Sequence, residues 1–197
     1  MRYRIGIDEA GRGPLAGPVA VGAVIAPNNF DWSLVAGAMD SKKMTPKSRE
    51  DIYKKMCVLR REGKLDFSVA FSSASVIDTR GIVSAVQSAL NRALAKITED
   101  GPPYGKIEVL LDGSLHAPAH FLNQKTIIRG DQSELAISLA SIAAKVMRDR
   151  LMVRIAKRYP LYGFEIHKGY GTLVHRHMIK NAGLCELHRT TFCTRIV

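Results

Sequence analysis

Cysteine is scarce in this chain. The three present, Cys57, Cys185 and Cys193, are odd in number and form no C-x-x-C pair, which excludes a disulfide framework or zinc ribbon and suits a reducing compartment. No apolar run approaches the ~18 residues of a membrane span, and no stretch of signal-peptide length follows Arg2 and Arg4 before Asp8. A cytoplasmic protein without a membrane partner is expected. No G-x-x-x-x-G-K-[ST] sequence is present to form a P-loop, and there is no internal repeat or low-complexity segment. Acidic residues are also in deficit: 18 Asp and Glu against 29 Lys and Arg leave a net charge of +11. That balance points to a polyanionic partner, with nucleic acid first among the candidates.

What is present describes one ordinary globular domain spanning residues 1–197. Residues 3–9 and 18–26 read as β-branched strands on either side of a Gly/Pro turn, hence an antiparallel pair, with Gly22 marking a bulge or close packing. Thr45 followed by Pro46 caps a helix. A third strand is expected at 65–72, then a helix over 75–97 with Ile82, Val86, Leu90, Leu94 and Ile97 on its apolar face. "KIEVLLDGS" and "KTIIRGD" read as two further strands, each stopping at an aspartate. A long helix from Ser133 to about Tyr159 follows, with Leu135, Leu139, Ile142, Val146 and Val153 inward and a cationic face that includes Lys145 and Arg148. The expected class is α/β, a mixed five-stranded sheet flanked by helices, with a small helical C-terminal region from about residue 160.

Three separate strands are thus expected to end in acids: Asp8 with Glu9, Asp112, and Asp131. If those ends converge, four carboxylates share one volume, and their mutual repulsion calls for cations. Oxygen-only ligands suit Mg²⁺ or Mn²⁺ rather than zinc, and a pair of such ions is suited to phosphodiester hydrolysis. One geometric condition applies. Successive side chains on a strand face opposite ways, so Asp8 and Glu9 share a site only if the strand twists, bulges or ends between them. The segment "GRGPLA" also fits a loose dinucleotide-binding fingerprint, but Pro14, Pro18 and the β-branched run after it favour a turn and a strand over the required helix.

The blocks "DEAGRGPLAGPV", "DSKKM", "LLDG", "RGD", "SIAAKVMRDR", "HKGYGT" and "HRTTF", in this order, make the chain resemble the bacterial type 2 ribonucleases H over nearly its whole length. The resemblance implies a ribonuclease-H-like fold and catalytic, metal-holding roles for Asp8, Glu9, Asp112 and Asp131. It also implies that Gly11, Arg12 and Gly13 work with Tyr170 at a ribonucleotide embedded in a duplex. Telling RNA from DNA requires sensing a 2′-hydroxyl, and small residues let backbone groups approach it. Ser41, Lys42 and Lys145 become phosphate or site-support contacts. There are departures from the family pattern: Met44, the pair Thr190 and Thr191, and Gly81, which removes any side-chain contact to the DNA strand there. Arg12 in the glycine turn, where type 3 enzymes usually carry lysine, favours type 2.

The expected activity is endonucleolytic. It covers hydrolysis of the RNA strand of RNA–DNA hybrids and cutting 5′ of ribonucleotides embedded in duplex DNA, with two Mg²⁺ or Mn²⁺ ions, leaving 3′-hydroxyl and 5′-phosphate ends. A monomer is expected, and no sliding-clamp motif stands in the last ten residues. Two alternatives remain at this level. One is a metal-independent ribonuclease using His167, His175, His177 and His188, residues read here as surface or duplex-facing groups. The other is a non-catalytic basic nucleic-acid-binding module; a DNA-processing nuclease on the same fold is disfavoured by the pairing of the glycine turn with Tyr170.

Overall fold

The β-branched runs near the N-terminus form the centre of a sheet. Strands β1 (Tyr3–Ala10) and β2 (Val19–Pro27) pair antiparallel, with Asp8 opposite Gly22. The computed structural model describes residues 1–38 and 44–196. Helix α1 (Pro46–Arg61) starts at its capping signal, where Thr45 Oγ1 accepts the Ser48 amide at 3.1 Å. Strand β3 (Asp66–Ser72) and helix α2 (Ala74–Thr98) follow, then β4 (Ile107–Asp112) and β5 (Gln124–Ile127). The remaining elements are a single turn α3 (Gly130–Ser133), the long α4 (Leu135–Ala156), α5 (Phe164–His167), α6 (Leu173–Ala182) and α7 (Thr190–Cys193). None of the described helices is long and apolar enough to cross a membrane.

The expected mixed five-stranded sheet is present, in the order β3-β2-β1-β4-β5, with β1, β4 and β5 parallel and β2 antiparallel to both its neighbours. One face packs on α2 through residues such as Ile5, Ile7, Val86 and Leu90. The other packs on α1 and α4 through Val24, Phe67, Tyr53, Leu139 and Ile142. Burying each such side chain contributes about 1.5–3 kcal/mol, so these two layers dominate stability. Gly6 and Gly22 let the backbone of α4 lie directly on the sheet. A Cβ at Gly6 would stand 2.1 Å from the Ala136 carbonyl carbon, and one at Gly22 2.2 Å from the Ala140 oxygen. Gly22 therefore marks close packing within a regular ladder, not a bulge.

Three expectations need correction. Helix α2 is bent at Gly81, whose φ of 76° and ψ of 158° fall in a region essentially reserved for glycine. Strand β5 ends at Ile127, so Asp131 lies on α3 and not at a strand end. Arg129 adopts a left-handed φ of 55° and turns the chain, and Gly130 packs where a Cβ would meet Ile137 Cδ1 at 2.5 Å. On α4, Val153 is exposed while Arg148 is fully buried, the reverse of the amphipathic expectation. The cause is the C-terminal region: Tyr162 and Phe164 pack with Ala16, Met152 and Ala156, covering one side of α4.

Candidate active site

Parallel β1, β4 and β5 direct their C-terminal ends to one edge of the sheet, where ligands of open α/β sheets gather. The β1–β4 register ends at Ile7 opposite Leu111, which puts Asp8 and Asp112 side by side as the next positions. β1 itself neither bulges nor ends between Asp8 and Glu9. Its ladder with β2 runs on to Ala10 opposite Ala20. The β1–β4 pairing stops at Ile7 and Leu111, and both Asp8 and Glu9 line the space beyond it. Asp8, Glu9 and Asp112 line a cleft of about 450 Å³, together with Gly11, Arg12, Gly13, Lys145, Tyr170 and two residues not singled out in the sequence, Arg49 and Ser141.

Asp131 is fully buried and is not on the wall of this cleft. It is linked to it through its neighbour Gly130, whose amide donates to Asp112 Oδ1 at 2.7 Å. Among the described residues no three His, Cys, Asp or Glu side chains are already gathered as a metal-binding group. Three of the four acids expected from the sequence thus line one cleft, and the fourth, Asp131, is buried next to Gly130, which contacts Asp112. Ser41 and Lys42 fall outside the described residues.

The electrostatics centre on Asp8. Its Oδ1 accepts the Glu9 amide at 2.7 Å, while Oδ2 is buried and, among the described residues, meets no donor at hydrogen-bond distance. Burial, followed by the negative charges of Glu9 and Asp112, pushes the Asp8 carboxyl up to about 8, against the opposing effect of the Ser141 hydroxyl and the Glu9 amide. Glu9 is paired with Arg12 at 3.1 Å. A buried carboxylate oxygen without a donor, among acids that raise its proton affinity, is a site that a cation would stabilise. The donors are all oxygen, which fits Mg²⁺ or Mn²⁺.

The glycine turn and the tyrosine form one unit. Gly169 O accepts the amides of Leu15 at 2.9 Å and Ala16 at 3.2 Å, and a Cβ at Gly169 would strike Ala16 O at 2.3 Å. This closeness fixes the following residue, Tyr170, beside the cleft with 41% of its surface exposed. Lys145 Nζ stands 5.5 Å from the Tyr170 ring centroid and pairs with Asp149 at 2.8 Å, so it serves the ring as well as any phosphate. No helix follows the glycine turn, which rules out the dinucleotide reading. Pattern reasoning missed Arg148 and Arg189, both fully buried behind the turn. Arginines in a basic chain give no sign of burial. Only their places in the blocks "MRDR" and "HRTTF" could have flagged them.

The histidines also differ from expectation. His167, His175 and His188 are buried under the Tyr170 loop, with the His167 and His175 rings stacked at 4.3 Å and the two Nε2 atoms of His175 and His188 3.1 Å apart. None lines the cleft. Burial drives the His175 imidazole down to about 4, opposed in part by the Tyr170 carbonyl, and lowers His188 as well. Neutral buried imidazoles stabilise the fold above the unfolded value of 6.5, and that contribution is lost as pH falls from there towards about 4. In a pH titration followed by NMR, the His175 ring resonances are expected to shift near pH 4. A midpoint at the ordinary value near 6.5 would contradict a neutral packed cluster.

Size does not single out this cleft. A larger hollow of about 730 Å³ lies at the other end of the sheet, near Tyr3, but its cations pair locally, as Lys96 does with Glu99 at 2.7 Å.

Known proteins bear on this arrangement directly. The family described as "Ribonuclease HII" matches residues 5–195. A curated ribonuclease HII from Caldicellulosiruptor bescii is 41% identical over 199 aligned positions, spanning 100% of this chain and 89% of the relative. Among solved structures, the PCNA:RNase HII complex from Archaeoglobus fulgidus aligns with a TM-score of 0.72 at 22% identity, over 95% of this chain and 93% of that one. Bst-RNase HIII in complex with Mn²⁺ aligns with a TM-score of 0.67 at 16% identity, over 97% of this chain and 64% of that one. At these identities the two structures establish the shared fold.

Proposed function

Because the chain belongs to the ribonuclease HII family, and so is a ribonuclease H acting on the RNA strand of RNA–DNA hybrids, we propose that its cleft also cuts 5′ of ribonucleotides embedded in duplex DNA. Asp8, Glu9, Asp112 and Asp131 would hold two Mg²⁺ or Mn²⁺ ions, which supply Lewis-acid activation of water and charge neutralisation at the phosphate. Asp131 would take part from α3, beside the Gly130 amide that contacts Asp112. Gly11, Arg12 and Gly13 line the cleft, where backbone amides of their turn would serve as donors for a 2′-hydroxyl. Tyr170 offers a half-exposed ring for the adjoining deoxyribose. Lys145, with Arg49 on the same wall, attracts the backbone without reading bases, so cutting is independent of sequence.

The observation that carries this reading is the buried Asp8 carboxyl beside Glu9 and Asp112 in the same cleft as the turn and the tyrosine. The known Mn²⁺ complex of a fold relative is consistent with it. The test is cleavage of three duplexes, all-DNA, one-ribonucleotide and full hybrid, with Mg²⁺, Mn²⁺ or chelator. Cutting of the last two, stopped by chelator and leaving 3′-hydroxyl and 5′-phosphate ends, is expected. Chelator-resistant cutting with cyclic-phosphate products would refute the metal reading.

A further inference from the structure

Arg189 takes no part in the chemistry above, yet its side chain is fully buried and every donor nitrogen is used on one turn. Its Nε donates to Gly17 O at 3.0 Å, one terminal nitrogen to Arg12 O at 2.8 Å and the other to Gly11 O at 2.7 Å. Its own amide donates to Leu15 O at 2.7 Å. Arg148 completes the clamp from α4, donating to Pro18 O at 2.8 Å, Ala16 O at 3.2 Å and Lys168 O at 3.0 Å. Among the described residues neither guanidinium has a carboxylate partner within ion-pair distance. Burying two like charges side by side is costly, and six carbonyl acceptors offset that cost.

The direction of these bonds matters. In a trans peptide the N–H points opposite to the preceding carbonyl. With the Gly11 and Arg12 carbonyls drawn inward to Arg189, the amides of Arg12 and Gly13 are turned away from it, towards the cleft that both residues line. Neither amide meets an acceptor among the described residues.

Arg189 is braced in turn by the residues that follow it. Asp78 Oδ2 accepts from the Thr190 amide at 2.8 Å and hydroxyl at 2.9 Å. Asp78 Oδ1 accepts from the Thr191 amide at 3.1 Å and hydroxyl at 2.6 Å. This also accounts for threonine at both positions, since each hydroxyl has an acceptor.

We propose that Arg189, braced by Asp78 through Thr190 and Thr191, is a positioning residue that aims the Arg12 and Gly13 amides at the 2′-hydroxyl and so sets the preference for a ribonucleotide over a deoxyribonucleotide. The proposal rests on the reading of the Gly11–Gly13 turn as the ribose reader. It assigns Arg189 and Asp78 to discrimination rather than to hydrolysis.

The test is equilibrium binding, with Ca²⁺ in place of Mg²⁺, of an all-DNA duplex and the same duplex with one ribonucleotide. It compares the wild type with Arg189→Lys and Asp78→Ala. The wild type should favour the ribonucleotide. Arg189→Lys should cut that ratio about tenfold, and Asp78→Ala about threefold, while all-DNA affinity stays within about twofold. A merely structural role would weaken both duplexes together or neither, leaving the ratio unchanged; that result overturns the proposal. Should Arg189→Lys fail to fold, the Asp78→Ala ratio decides on the same terms. A wild type with no ribonucleotide preference would instead sink the underlying reading of the turn.

Discussion

Asp8→Asn is expected to abolish cleavage, by about three powers of ten or more, while duplex binding survives and the metal-free protein becomes more stable. The first effect follows from removing an anionic ligand from a site where Lewis-acid stabilisation accounts for several kcal/mol of the barrier, each 1.36 kcal/mol being tenfold in rate. Binding should survive because, on the proposed reading, duplex affinity comes from cations such as Lys145 and Arg49, which line the cleft and which the substitution leaves alone.

The stability effect runs against the usual rule that buried polar substitutions destabilise. The Asp8 carboxyl titrates at 3.8 when unfolded and about 8 when folded. Its ionisation therefore opposes folding, increasingly as pH rises from 3.8 towards 8. Asparagine has no charge to bury, so near pH 7.5 the variant should melt higher than the wild type in chelator, at roughly 2–4 °C per kcal/mol relieved. Added Mg²⁺ should raise the wild-type melting temperature and leave the variant nearly unmoved. Calorimetry at pH 5 and 7.5, with and without Mg²⁺, checks each part. Unchanged cutting by Asp8→Asn would defeat the site assignment, and a lower metal-free melting temperature would defeat the electrostatic account.

The second large effect separates two glycines that sit two residues apart. Gly11 has a φ of +84°, and a Cβ there would stand 2.0 Å from Arg148 Nε. Gly11→Ala must strain the backbone and displace a buried guanidinium that holds three carbonyls, a combination expected to cost about 3 kcal/mol or more. At Gly13 a Cβ would meet no atom of the described residues within 4 Å, and its φ is not in the left-handed range. Gly13→Ala should therefore fold with stability within about 0.5 kcal/mol of the wild type. Nothing among the described residues requires glycine there, and Gly13 lines the cleft. A methyl group in that space should obstruct approach of a ribose, lowering cleavage of the one-ribonucleotide duplex by about one to two powers of ten. Denaturant melts and initial rates on both variants check the contrast. Equal losses of stability, or full activity for Gly13→Ala, would remove the ribose-reading role of this turn.

Several features were fixed locally and could be read from the chain by itself. The β-branched runs of β1 and β2, the Thr45–Pro46 cap and the apolar repeat from Val86 to Ile97 each depend on neighbours in sequence, so period and capping chemistry identify them. The acids at Asp8, Glu9 and Asp112 and the turn around Gly11 were legible because strand ends and glycines carry local signals. Tertiary structure alone decided which of these meet. Asp8 and Glu9 line one cleft beyond the end of the β1–β4 pairing without any irregularity in β1, and the left-handed Arg129 takes Asp131 off its strand and onto α3. Arg148, Arg189 and the His167–His175–His188 stack became buried because the C-terminal region folds back over α4 and the turn. Charge favours water in any local reading. Only a full set of carbonyl acceptors supplied from distant segments reverses that preference, and no window of sequence contains both partners.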